Sequence, residues 1–240
     1  MATDLGLLGA VRTGRAVWRW YEWATPTVSF GRHERVRGRY TPESLAAAGL
    51  TAVRRPTGGR ALLHAREITY SVTLPWPAAH PWRPAYDAIN HLLTETLHLA
   101  GIPVERAPAG PTVRPDGPVC FDRPAEGELV LGTRKLVGSA VWRQGDAYLQ
   151  HGSILLADDQ HQLVRAAVIP LPPAPAAATL GDIMPHRSPT EHLAALQHAL
   201  RARLADAGAR CEPFAPTATL TRAVEQARPG QRDPGWIWRH

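Results

Sequence analysis

Glu128-Leu129-Val130-Leu131, Gly132-Thr133 and Arg134-Lys135-Leu136-Val137-Gly138-Ser139-Ala140-Val141-Trp142 decide how this 240-residue chain folds. Two short runs of strand-forming residues meet across a Gly-Thr turn, and a third run follows Gln144-Gly145-Asp146. The spacing predicts an antiparallel meander over Glu128–Leu131, Lys135–Trp142 and Tyr148–Leu156. In its middle strand the two-residue period places Lys135, Val137, Ser139 and Val141 on one face. Leu136, Gly138, Ala140 and Trp142 fall on the other.

Working outward, Met1 to Val11 carries apolar residues at helical spacing, and Ala16 to Trp23 reads as an aromatic-rich strand. Thr41-Pro42-Glu43 opens a helix that ends near Gly49. Thr51–Arg55 and Glu67–Leu74 are expected to be strands flanking a Gly58-Gly59 turn. Pro84–Leu99 predicts a helix closed by Gly101, and the Pro/Gly-rich Ala107–Pro118 a loop. A Pro/Ala-rich linker covers Pro170–Pro175. Ser188-Pro189-Thr190-Glu191 is a capping box for a last helix that stops at Gly208. After Pro213 there is little pattern, although Trp236 and Trp238 are suited to pack back on the body. Strands and helices without a βαβ rhythm give an α+β (mixed α/β) class. One domain is expected over residues 1–208, with a tail, 209–240, packed on it or partly disordered.

With 44% hydrophobic residues the chain has the material for one sizeable core. No run approaches the roughly 18 apolar residues of a membrane span, so no membrane partner is expected. Two cysteines, Cys120 and Cys211, are too few for a disulfide framework and point to a reduced, cytoplasmic protein. A net charge of +6 favours an acidic partner. The densest basic run, Arg32, His33, Arg35, Arg37 and Arg39, is either a solvated surface or a docking patch. No zinc spacing and no aromatic-basic RNA signature accompanies it, so neither a metal nor nucleic acid is expected.

Of 27 lysines and arginines, one, Lys135, is lysine. A compact ammonium fits beside a reacting carbonyl where a flat guanidinium fork does not. Cys120 lies 15 residues upstream on the proline-rich loop, where a neighbouring ammonium would favour its thiolate; the alternative is an idle thiol, to which Cys211 is assigned. Gly138, Ser139 and Ala140 either leave room for a slender chain against the strand or belong to a plain sheet with one exposed lysine. In Arg54 to His64 the paired Gly58 and Gly59 form either a tight turn or an anion-accepting concavity with Arg55 as clamp. No Walker loop follows. His64 suits a wall role, and His151, beside Gly152, is a proton carrier or a wall residue. No Gly-x-Ser-x-Gly elbow suggests a serine hydrolase.

Together Met1-Ala2-Thr3-Asp4, Pro26 to Arg32, Arg54 to His64 leading into Glu67 to Val72, Cys120-Phe121, Lys135 to Ala140 and Gln150 to Leu156 resemble the biotin/lipoate protein ligase (BPL/LPL catalytic domain) superfamily. Within it they are most similar to the cysteine-dependent octanoyltransferases of lipoate assembly, the LipM type. The resemblance spans about residues 1–205 and implies that superfamily's mixed sheet flanked by helices. It implies Cys120 as nucleophile, Lys135 as the family lysine, and Arg55, Gly58, Gly59 and His64 as the pocket motif. Gly138, Ser139, Ala140, His151 and Gly152 are expected to bind substrate with them. The implied donor is octanoyl acyl carrier protein, and the acceptor a lipoyl-domain lysine such as that of the glycine cleavage H protein. No cofactor is implied, neither ATP nor metal.

The alternatives are an ATP-dependent lipoate ligase, an amidotransferase between lipoyl domains, and an inactive acyl- or carrier-protein-binding module. Three features bear on the choice. Arg60 stands where ATP-dependent ligases carry a third glycine, and the length leaves no room for the long ligases' extra domain. Gly127 precedes Glu128 where the transferases usually carry an aromatic.

Overall fold

The computed structural model describes residues 1–10, 15–108 and 124–239. In β5 (Glu67–Pro75) apolar and polar residues alternate. Ile68, Tyr70 and Val72 enter the main core, while Thr69, Ser71 and Thr73 are buried on the opposite face. With β1 (Val17–Tyr21), β9 (Ala147–Leu155), β8 (Arg134–Gln144), β7 (Leu129–Leu131) and β6 (Glu105–Arg106) it forms a six-stranded sheet. The order is β1-β5-β9-β8-β7-β6, each neighbouring pair antiparallel. The expected meander is therefore β7-β8-β9.

Strict alternation in β8 does not hold. Leu129 faces Val137 but Val130 faces Lys135, so β8 carries one extra residue at a register shift. Leu136 and Val137 both enter the core, and Lys135 is left lining the same cavity as Gly138 and Ala140.

α3 (Arg83–Leu99) and α6 (Pro189–Asp206) cover the apolar face with Ile89, Leu93, Leu97, Leu196 and Ala199. α6 starts at the Ser188/Glu191 capping box, and α2 (Pro42–Ala47) starts at Thr41, as their sequences predict. A second sheet, β3 (Thr51–Arg54), β2 (Thr27–Phe30) and β4 (Leu62–His64), has order β3-β2-β4. β2 and β4 are too short to register as periodic runs. The Gly58-Gly59 turn consequently joins β3 to β4 inside this small sheet, not β3 to β5. Mixed α/β architecture is the result, as the sequence predicts.

The small sheet is pinned by close backbone contact. A Cβ on Gly31 would lie 1.8 Å from the Gly59 carbonyl oxygen. The buried Glu34 ties the two segments, accepting from the amides of Gly31 (3.0 Å) and Ala61 (2.8 Å).

The C-terminal segment carries more structure than its sequence suggests. Beyond α6 lie α7 (Ala218–Arg232) and α8 (Pro234–Ile237). Pro229 inside α7 and a sparse apolar stripe hide that helix from a periodicity reading. Leu220 and Val224 of α7 pack on Leu7 of α1 (Ala2–Ala10). Trp236, Ile237 and Trp238 pack on the small sheet's core. The buried guanidinium of Arg54 donates to the carbonyls of Trp236, Ile237 and Arg239, and to those of Gly31 and Glu34. Arg37 donates to the Trp238 carbonyl, and Arg32 stacks on Trp142 (4.2 Å) and Trp236 (5.7 Å). Two members of the basic run thus hold this segment, while Arg35 is exposed.

Arg54→Met would leave five buried or half-buried carbonyls without that donor. Stability should fall by at least about 3 kcal/mol in urea unfolding. Amides of residues 235–239 should exchange faster while β5 and β9 stay protected; an unchanged midpoint would refute the anchor.

Candidate functional site

Between the two sheets lies a cavity of about 250 Å³. Its floor crosses three strands in register, from Thr69 on β5 to Ser153 on β9 to Gly138 on β8. Arg55, Gly59, Arg60 and His64 close it from the small sheet, and Lys135 on β8 borders it together with Glu128 and Ala125.

Of the residues selected from sequence, Lys135, Arg55, Gly59, His64, Gly138, Ser139, Ala140, His151 and Gly152 all line this cavity. Gly58 does not; its carbonyl accepts from Arg55. Cys120 lies outside the described residues, and Cys211 is exposed. The chain re-enters the described region at residue 124, next to Ala125 in the cavity wall.

From the sequence Arg55 is a candidate anion clamp. Its guanidinium donates to the backbone of Ser29 (2.6 Å), Arg60 (2.6 Å) and Gly58 (3.1 Å). These bonds fix the glycine turn as the cavity wall. Gly152 has a packing reason: a Cβ there would meet the Gly138 carbonyl at 2.4 Å and the Tyr70 ring at 2.6 Å. The Tyr70 hydroxyl pairs with Ser139 at 2.6 Å from the core side.

Lys135 is buried, and its Nζ donates to Glu128 Oε1 at 2.8 Å. Glu128 Oε2 accepts from the Ala125 amide at 2.7 Å. A buried ammonium held by a carboxylate stays directed. In the sequence Glu128 reads only as the start of a strand, because the ion pair depends on the β7–β8 register.

His151 and Thr57 share a hydrogen bond of 2.8 Å between Nε2 and Oγ1. Its Nδ1 faces Asp4 Oδ2 at 3.8 Å, longer than a hydrogen bond but close enough for charge to act. Burial lowers the His151 pKa against the pull of Asp4, so the imidazole is neutral at neutral pH. For Asp4 burial acts upward, and His151 and Arg19 act against that rise. Asp4, quoted above only within a motif, thus borders the site through His151.

His64 is a wall residue. Its ring stacks on Trp23 at 4.3 Å, with Nδ1 against Glu67 Oε1 and Nε2 against Ser29 Oγ, both at 2.7 Å. Glu67 Oε1 also accepts from Thr69 (2.5 Å) and Ser153 (2.9 Å). Sequence reasoning gave Glu67 and Thr57 no role, since they come from a separate strand and turn and share no local spacing.

Chemically, the cavity is a slot between sheets with small residues on its floor and an ammonium at one end. It suits an extended apolar chain with a carbonyl near Lys135. Among the described residues no cluster of His, Cys, Asp and Glu is arranged to hold a metal ion. No described helix is long and apolar enough to cross a membrane.

Lys135→Met should cost about 3–5 kcal/mol, because it leaves the buried Glu128 carboxylate without its ammonium. The double variant Lys135→Met/Glu128→Gln should regain more than half of that loss in urea unfolding. No recovery would mean the pair is not the dominant interaction of either group.

The family model for the lipoyl protein ligase A/B catalytic domain matches residues 1–188. An octanoyltransferase LipM of Moorella thermoacetica is 40% identical over 165 residues, 65% of this chain and 60% of that protein. The octanoyltransferase LipM of Geobacillus kaustophilus is 38% identical over 176 residues, 68% of this chain and 63% of that protein. The chain thus spans about three fifths of the length of these curated relatives. A lipoate-protein ligase A crystallised with ATP superposes with a TM-score of 0.80 at 18% identity, covering 99% of this chain and 92% of that one. A bipartite lipoate protein ligase from Thermoplasma acidophilum gives 0.77 at 16%, covering 99% and 89%. At those identities the structures speak for the fold, and the match over residues 1–188 for kinship: the chain belongs to the lipoyl protein ligase A/B catalytic-domain family.

Proposed function

We propose that the chain is a protein octanoyltransferase of lipoate assembly, moving an eight-carbon acyl group from acyl carrier protein to a lipoyl-domain lysine. The observation that carries this reading is the slot between the sheets with Lys135 buried at one end. The 36–40% identity to proteins called octanoyltransferase LipM supports the same reading.

In this mechanism the Cys120 thiolate attacks the carbonyl carbon of the acyl thioester. Lys135 and strand amides stabilise the oxyanion, the carrier thiolate leaves, and the acyl group rests on Cys120 as a thioester. The amine of the acceptor lysine then attacks the same carbon. The Cys120 thiolate leaves, the amine's proton is released, and an amide remains. The acceptor is a lipoyl-domain protein such as the glycine cleavage H protein. Carrier proteins of this kind are acidic, and the net charge of +6 would steer their approach. Arg32 and Arg37 hold the C-terminal segment, so exposed arginines such as Arg35 would do the steering.

Incubation with octanoyl carrier protein, with nucleotide removed, should add the octanoyl mass to Cys120, and hydroxylamine should release it. Cys120→Ala should abolish the adduct and the transfer, while Cys211→Ala should change neither. Strict dependence on ATP-Mg and a free acid would establish a ligase instead. An adduct formed only from an octanoylated lipoyl domain would establish an amidotransferase, and no adduct from either donor an inert binding module.

Lys135→Arg should retain the charge yet lose at least about 10²-fold in transfer, because its wider donors miss the oxyanion. Near-native turnover by that variant would sink the geometric role of the lysine.

A further inference from the structure

Asn90 lies on the buried face of α3 with Ile89, Leu93 and Leu97, and only 1% of it is exposed. A carboxamide in an apolar core is costly unless its donors and acceptor are met. Its Nδ2 donates to the Gly127 carbonyl at 3.0 Å, and its Oδ1 accepts from Gln150 Nε2 at 2.7 Å. Gln150 Nε2 also donates to the Tyr70 hydroxyl at 2.9 Å, and Gln150 Oε1 accepts from Tyr148 at 3.0 Å. The Gly127 carbonyl can only accept, which fixes the orientation of both amides. Tyr70, accepting from Gln150, is left to donate to Ser139 at 2.6 Å. One directed chain of polar groups therefore crosses the main core, from β8 to the turn that precedes β7.

That turn carries the partner of the lysine. Gly127 stands directly before Glu128, whose carboxylate accepts from Lys135 Nζ at 2.8 Å. Gly127 is in the left-handed region, with φ of 81°, and backbone bonds to Ala107 hold Gly127 and Glu128 at the sheet edge. From α3 the turn is reached twice. Arg83 donates to Glu126 at 2.6 Å, but this pair is on the surface, where solvent and salt weaken it. Asn90 makes its bond in the buried core, and the network behind it leaves the amide no second orientation.

We propose that Asn90 is a positioning residue for Lys135. By holding the Gly127 carbonyl it sets where the Glu128 carboxylate stands, and through it where the ammonium sits at the edge of the slot. The expected effect on rate rests on the acyltransferase reading; the effect on the lysine itself does not. A reacting group misplaced by about 1 Å can cost on the order of 10²-fold in rate, so a small shift of this turn is enough to matter.

The test uses the single lysine. Protein labelled with nitrogen-15 on its lysine side chain gives one ammonium resonance, that of Lys135. Asn90→Ala should shift this resonance and speed exchange of its hydrogens at least about tenfold, since the ion pair no longer has a fixed base. In octanoyl transfer from carrier protein, kcat should fall at least about tenfold, with KM within about twofold of wild type. Leu97→Ala removes packing from the same helix two turns further on. It should lower stability yet leave both the resonance and kcat at their wild-type values.

A wild-type resonance in a folded Asn90→Ala protein would overturn the proposal, and so would a shifted resonance with undiminished kcat. An equal change in Leu97→Ala would also overturn it, by reducing the effect to a general loosening of α3. If Asn90→Ala does not fold, Asn90→Leu, which fills the space without the hydrogen bonds, carries the same expectation. Should the wild type transfer no octanoyl group while the resonance responds to Asn90→Ala and not to Leu97→Ala, the acyltransferase reading falls and the positioning of Lys135 stands.

Discussion

Gly31 lies so close to Gly59 that the two turns of the small sheet touch backbone to backbone, and the shape of the cavity depends on that contact. Any side chain at position 31 would drive the glycine turn away and with it Arg55, Gly59 and Arg60. The contact is made of polar backbone, so its partners are charged side chains drawn inward: Glu34 from one side, Arg54 and Arg55 from the other. Burial raises the Glu34 pKa, while Arg55 and the two amides that it accepts from work against the rise. Arg54 is lowered by burial and by Arg239 to about 10, and it remains protonated at neutral pH. Such a cluster is costly to dehydrate and tolerable only because each group meets a partner of fixed geometry.

Lysine at position 135 fits the same logic. Every other basic side chain here is arginine, a residue that brings a wide fork and five donors. The wall beside Glu128 offers one carboxylate oxygen to the Lys135 ammonium, and Lys135 lines the same cavity as Gly138. A point donor on a flexible stem can satisfy the carboxylate and still reach into the slot. The chain's general preference for arginine and the site's need for a compact cation therefore conflict, and at this one position the site prevails.

Much of this was legible in the sequence where a local rule governs. Turn residues and strand-forming runs placed the β7-β8-β9 meander, and the Ser188 and Thr41 caps placed the starts of α6 and α2. The residues chosen around the glycine turn and β8 converge on one cavity because each sits in a recognisable segment. What was not legible depends on pairings that no local pattern records. The extra residue in β8 moves Lys135 to another face, and only the partner strand reveals it. Arg54 reads as one more surface arginine until the last residues of the chain fold over it. α7 escaped because a helix with a proline inside and few apolar residues has little periodicity to detect.

The packing of α1 against α7 has a consequence for how the site comes into being. α1 supplies Asp4, the carboxylate that faces His151, and Gly6 lets α7 approach so closely that a methyl group there would lie 2.8 Å from Val224. Yet α7 follows α1 in the chain by roughly 200 residues. At about 5–20 residues per second the interval is roughly 10–40 s. Throughout that time α1 lacks one of its two supports, and the cavity wall beneath it stays incomplete. The finished cavity therefore waits for α7, and a nascent chain halted before that helix would present the sheet without a complete slot.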